Sequence, residues 1–318
     1  MSGQFVVSLD FEKYWGIRDH RSIEDYKLNL ERVDSICLEM LKLFSEFDIH
    51  ATWATVGLLA FDNKEELIDM IPHDKPIYSN ISLSPYPYIS ETKLEYKFHF
   101  SPDIINKIGY SKNQELATHT FSHYYCLEAG QTESSFDSDL KLNIDVIKNK
   151  FGIEMSSLIF PRNQVKKEYL KILTKNNIKS YRGNETNWIY SIKMNFLLKR
   201  GLRLIDSYFN ITGSNTYDLK TIKNSIPYNI PSSCFLRPVN SKDSLFKKLK
   251  MKRIKAQMTY AAKNDKLFHL WWHPHNFGND IEANILFLKE IFKHFVHLKE
   301  KYNMTSLNMQ EISKKMEI

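Results

Sequence analysis

The sequence predicts an α/β fold: a distorted (β/α) barrel of seven or eight parallel strands, interrupted by two long inserts. Short apolar, β-rich segments recur along the 318 residues, each followed by a stretch of helical periodicity. Hydrophobic residues make up 42% and charged residues 25%, the usage of a chain that buries one large core without staples. The residues able to do chemistry stand at the ends of the apolar segments, where parallel barrels build their sites. One elaborated domain over 1–318 is expected.

The expected strands are 5–12, 50–57, 115–119, 158–162, 179–182, 202–207, 267–273 and 305–309. Between them, Leu30, Val33, Cys37, Leu41 and Phe44 share one helical face, with Ser22 upstream as a cap. Phe136, Leu140, Ile144 and Ile147 form a second stripe that stops before Gly152, and Ile285, Leu288, Phe292 and Phe295 form a third. Two stretches break the rhythm. Residues 72–111 hold five prolines among many tyrosines and are expected to form a lid, because structureless loops of that length are usually functional. Residues 212–255 form a second, basic insert.

The opening residues have no basic n-region, sustained apolar core or small-residue cleavage site, and no apolar run is long enough to span a bilayer. Cys37, Cys126 and Cys234 are far apart and suit neither a disulfide framework nor a thiolate metal site. A cytoplasmic address is expected, with no transmembrane segment. The net charge of +7 concentrates at Lys247–Lys255, which reads either as a solvated helix face or as a site for an anionic partner, including peripheral contact with an anionic membrane. No pattern of a common nucleic-acid module is present, so no nucleic-acid partner is expected.

Four clusters carry chemistry. Asp10 and Glu12 lie two apart at a strand end, side by side on one face, and two such carboxylates need a cation or a shared proton between them. One metal ligand and one general base are expected of the pair. His119 and His123 converge on one cation if the chain turns after its strand, and neutral imidazole suits zinc. His273 ends the expected strand 267–273 before Pro274 and stands as a general acid, whereas His269 reads as a core histidine. Arg162 ends another strand with a fixed cation able to hold the base ionised. Two histidines and one carboxylate leave open positions on Zn²⁺ or another divalent metal, as a catalytic site requires.

In these motifs and their order the chain resembles the polysaccharide deacetylase (NodB homology) family. Glu115–His123 corresponds to the family's histidine motif, Phe160–Arg162 to its arginine–proline motif, Tyr181 to Trp188 to its tryptophan motif, and Leu270–His273 to its final leucine–histidine motif. The resemblance implies a deacetylase barrel removing N- or O-acetyl groups from glycans, with Asp10 as base, Glu12, His119 and His123 as metal ligands and His273 as acid. Phe11 separates Asp10 from Glu12, where most members have adjacent aspartates, and Arg162 follows its proline instead of preceding it. His275 is a rival acid. A backbone N–H near Asn163 is expected to bind the oxyanion, and Trp188 with Trp271 or Trp272 to wall the acetyl pocket. The expected substrate is an acetylated amino sugar of a surface polysaccharide or its intracellular precursor, lipid- or nucleotide-linked forms included. The competing readings are an inactive glycan-binding protein on the same barrel and another barrel metallohydrolase acting on a small amide.

Overall fold

The computed structural model describes residues 2–191, 195–222, 226–242 and 244–317. Its centre is β1 (Gln4–Phe11), whose eight residues are all buried. Parallel β2 (Ala51–Thr55) runs along the C-terminal half of β1, with Val7 opposite Ala51, and β8 (Leu267–Trp272) pairs on the other side, with Gln4 opposite Leu267. Beyond β2 the sheet continues through β3 (Gln114–Thr118), β4 (Ser157–Leu158), β5 (Ser180–Tyr181) and β6 (Tyr228–Asn229), while β7 (Cys234–Phe235) lies beyond β8. Every named pair is parallel, including the short β9 (Thr305–Ser306) against the start of β1.

One extended segment, 228–236, closes the ring. Its amides at Tyr228, Ile230 and Ser232 donate to Lys179, Tyr181 and Gly183 beside β5, and those of Ser233 and Leu236 then donate to His269 and Trp271 of β8. The expectation of a barrel strand at 202–207 fails, because 196–206 is a helix. Asn195 caps it by accepting from the amide of Leu197, and the run of leucine, lysine and arginine strongly favours helix. The staves that close the barrel lie instead among Pro227, Pro231 and Pro238, inside the basic insert.

The helices follow the stripes. Ser22 accepts from Asp25 and starts α1 (Ile23–Glu31), and α2 (Val33–Phe47) buries Val33, Ile36, Cys37, Met40 and Phe44 against the sheet. α3 (Glu133–Phe151) ends at Gly152, whose φ of 68° is the left-handed value that glycine takes without strain. α4 (Phe196–Asp206) precedes the second insert and α5 (Ser244–Lys263) runs out of its end, and α6 (Ile281–Tyr302) and α7 (Met309–Glu317) complete the chain. α6 packs Leu288, Ile291, Phe292 and Phe295 into the same core as α2 and Phe5. No described helix is long and apolar enough to cross a membrane.

The first insert is a buttress rather than a lid. Trp15 donates through Nε1 to the carbonyl of His99 at 2.7 Å, Lys13 through Nζ to that of Phe100 at 2.7 Å, and Arg18 to those of Ser82 and Leu83. It therefore clamps the loop after β1 from outside. The basic run is also divided: Lys250 donates inward to Pro238 and Arg253 pairs with Asp206, while Lys248 and Lys252 remain exposed.

Candidate metal centre and active site

β1 delivers Ser8 and Asp10 to one face at the barrel mouth, and Glu12 follows at the turn into a 3-10 segment. The Glu12 carboxylate lies against Gly16, where a Cβ would stand 1.9–2.4 Å from its atoms, so glycine is required there for space. On the neighbouring stave the chain leaves β3 through His119, Thr120 and His123. Thr120 and His123 adopt left-handed backbone (φ 63° and 57°), which turns the loop back on itself. Asp139 of α3 accepts from the amides of Phe121 and Ser122, Thr120 Oγ1 accepts from the amide of Tyr124 at 2.7 Å, and Asn143 ties Thr118 to α3. The histidine loop is thus held by a helix behind it.

Glu12, His119 and His123 meet, offering ligand atoms that all lie within 4.8 Å of one another, and all three residues are buried. Glu12 Oε2 is 3.1 Å from His123 Nε2 and 3.3 Å from His119 Nε2. His119 Nδ1 lies 2.7 Å from the Ile159 carbonyl, which only accepts, so Nδ1 carries the proton and Nε2 is bare. Nε2 is buried without a hydrogen-bond partner, its lone pair facing a carboxylate oxygen. A divalent cation between these atoms resolves that opposition, and the donor set of two imidazoles and one carboxylate suits it.

Asp10 sits beside this cluster and is gripped by Arg182, with Nη1 to Oδ1 at 2.7 Å and Nη2 to Oδ2 at 2.8 Å, both residues being buried. Burial opposes ionisation of Asp10, but Arg182, His119 and His273 outweigh it and hold the carboxyl below its usual range. Burial likewise opposes the charge on Glu12, and His273 with His119 and His123 holds that group well below the usual range. Arg182 also donates to Ser8 and to Asn163 Oδ1 and lies over the Trp271 ring at 4.0 Å. Sequence reasoning gave this part to Arg162. Arg162 and Asn163 both take left-handed backbone (φ 53°), and Arg162, though it lines the same cavity, pairs with Asp19 over the Tyr125 ring instead of with Asp10. Arg182, the residue after β5, reaches Asp10.

His273 Nε2 lies 3.7 Å from Asp10 Oδ2 and 3.6 Å from Glu12 Oε1. Tyr26 donates to Asn276 Oδ1 at 3.1 Å, which leaves the Asn276 amide to face His273 Nδ1 at 3.4 Å and places the ring proton on Nε2, toward the carboxylates. His275 stacks on His273 with centroids 5.1 Å apart, but burial and the neighbouring His273 push it down to about 3, which makes it a poor proton carrier at neutral pH. His269 is a core histidine, its Nε2 2.8 Å from Ser8 Oγ.

These groups line a cavity of about 560 Å³ bounded by Asp10, Glu12, His123, Asn163, Trp271 and His273, with Arg200, Phe235 and Arg237 on its outer side. No lining residue comes from 72–111. Three substrate-binding expectations need correction. Trp272 turns away, packing between Phe44 and Phe277 in the core, because alternation along β8 gives the cavity to Trp271. Trp188 lies outside the cavity and donates to the Ile211 carbonyl. Asn163 does line it, but its backbone N–H is already committed to Phe160, so it offers no oxyanion donor there.

Residues 31–181 match the family model described as polysaccharide deacetylase. Over this span the chain is similar to the polysaccharide deacetylase family. That family is one of hydrolases acting on carbon–nitrogen bonds. The matched span holds His119, His123 and Arg162 but neither Asp10 and Glu12 nor His273, which the fold brings to the same cavity. Among solved structures, a putative polysaccharide deacetylase from Mycobacterium smegmatis is similar at 11% identity and a TM-score of 0.60, covering 99% of this chain and 90% of that one. A GH57-type branching enzyme from the hyperthermophilic archaeon Pyrococcus horikoshii is similar at 12% identity and a TM-score of 0.55, with 99% and 70% covered. Both likenesses concern the fold. No curated protein matches the chain by sequence.

Proposed function

We propose that the protein is a metal-dependent deacetylase that hydrolyses the N-acetyl or O-acetyl group of an amino sugar of a surface polysaccharide or its precursor. The observation that carries this is the bare, buried Nε2 of His119 facing the Glu12 carboxylate beside His123 and within one cavity of Asp10 and His273. A divalent cation held by Glu12, His119 and His123, Zn²⁺ in this reading, supplies Lewis-acid polarisation of the acyl carbonyl and of water. Asp10 accepts the proton of the attacking water at Oδ2, the oxygen nearest His273, and Arg182 keeps that carboxylate ionised and aimed. His273 stands at the departing nitrogen or oxygen as the general acid, and the proton that Asp10 takes from water replaces the one that His273 Nε2 gives to the leaving group. Trp271 and Phe235, with ring centroids 4.6 Å apart, wall the acyl side of the cavity.

The outer side supports an anionic substrate, such as a lipid- or nucleotide-linked amino sugar. A second cavity of about 340 Å³ shares Arg200, Phe235, Arg237, Trp271 and His273 with the first and adds Lys199 and Arg203. Its cations lie where a phosphate would sit if the acyl group were at the metal. The test is acetate release by the Zn²⁺-loaded chain from N-acetylated sugars presented free, as nucleoside diphosphate conjugates and as lipid phosphate conjugates. Asp10→Asn should retain metal and lose turnover by roughly 10²–10⁴-fold. No release from any of the three, with metal bound, sinks the reading.

A further inference from the structure

α4 is amphipathic the wrong way round for a soluble helix. Leu197, Leu198, Leu204 and Ile205, with Phe209 just beyond its end, fall on one stripe, and all are exposed, Leu197 at 71% and Phe209 at 54%. The first turn of α5 extends this face: Phe246 meets Tyr208 with ring centroids 5.1 Å apart, and Leu245 is 64% exposed. Several large apolar side chains grouped in this way on an exposed surface mark an interaction site.

Among the described residues, the exposed charged side chains that flank the patch on α4 and α5 are cations. Lys199, Arg200 and Arg203 flank it on α4, and Lys248 and Lys252 stand exposed on α5. Asp206, the one carboxylate of α4, turns inward onto Arg253 and the Thr212 hydroxyl. An apolar stripe bordered by lysine and arginine is the composition of a helix that lies in a bilayer interface, its apolar side chains below the headgroups and its cations among the phosphates. A second copy is a poorer occupant, since joining two such faces sets cation against cation. Arg200 links patch to chemistry, because it lines the cavity that holds Asp10 and His273.

We infer that the α4 face and the first turn of α5 form a docking surface for an anionic lipid bilayer, seating the protein with the mouth of its active site beside the membrane. The inference is independent of the deacetylation reading and is measured without turnover. The full chain is sedimented with vesicles of phosphatidylcholine and phosphatidylglycerol, with vesicles of phosphatidylcholine alone, and without lipid. Binding to the mixed vesicles is expected, weakened by high salt and poor on neutral ones. Leu198→Asp with Phe209→Asp should lower partitioning about tenfold or more, through lost apolar burial. Lys248→Glu with Lys252→Glu should weaken binding to the anionic vesicles alone. Unchanged thermal unfolding midpoints show that the variants are folded. Absence of binding to either vesicle by the wild-type chain overturns the proposal. So does lipid-independent dimerisation that Leu198→Asp abolishes, which would assign the face to a second copy. If acetate release persists while vesicle binding fails, only the docking surface is lost.

Discussion

The floor and the rim of the active-site cavity are built on different terms. At the floor, Asp10, Glu12, His119, His123 and Arg182 are all buried, come from β1 and the ends of β3 and β5, and are braced by Asp139, Ile159 and Asn163. At the rim, Arg200 is exposed and Arg237 half-buried, the first from α4 and the second from the second insert. Buried charges are tolerated only when paired and hydrogen-bonded, so the floor has one arrangement, set by the barrel. Exposed cations are screened and individually weak, so the rim is free to suit the substrate. On the proposed function, chemistry that requires fixed distances belongs at the floor, and specificity belongs at the rim.

The largest effect is expected where the floor loses a ligand. His119→Ala should abolish metal retention, read by elemental analysis of the dialysed protein, and acetate release together; retained metal with full activity would break the floor as described. Next comes Arg182→Gln, which leaves Asp10 buried without its partner and should cost about 3–5 kcal/mol in unfolding free energy. With Arg182 gone, burial dominates and the Asp10 carboxyl rises, so the acidic limb of kcat/KM should move to higher pH. In the wild type the sign is opposite. The depressed Asp10 and Glu12 add stability that is present above their ordinary values of 3.8 and 4.5 and lost as pH falls through the lower folded values. An acid-side slope unchanged by Arg182→Gln, in denaturant titrations across pH, would remove this account.

Gly16→Ala tests crowding instead of chemistry. Its Cβ would fall 2.1 Å from Glu12 Oε1, so the carboxylate must shift, and metal affinity should drop about 10–100-fold with the fold intact. The smallest effect belongs to the rim. Arg200→Ala should raise KM a few-fold for phosphate-bearing substrates and leave kcat and neutral substrates unchanged, since an exposed ion pair carries about 0.2–1 kcal/mol. An equal loss on neutral sugars would mean that the rim shapes the floor, and the comparison would fail.

Much of the floor was legible before the fold was known. Period-two alternation places Asp10 and Glu12 at the end of an apolar strand, and Pro274 marks where β8 stops, so the local pattern alone brings those groups to one end of the sheet. The same pattern, read across two strands, cannot say which arginine crosses the mouth. Arg162 and Arg182 both follow short strands, and the left-handed turn at Arg162 and Asn163 takes the first to Asp19 and leaves Asp10 to the second. Arg182 had a faint signal, standing between Tyr181 and Gly183 where a Cβ would meet Asn229.

By itself the sequence determined the parallel α/β architecture, the helical stripes and the four clusters at strand ends, because these follow from periodicities and local side-chain chemistry. Tertiary structure decided how the ring closes, through 228–236 rather than 202–207, and that Trp271 faces the cavity while Trp272 fills the core. It also decided that the first insert braces the Glu12 loop from behind. Each of these turns on which distant segment arrives alongside, and residues far apart in the chain carry no local record of their partner.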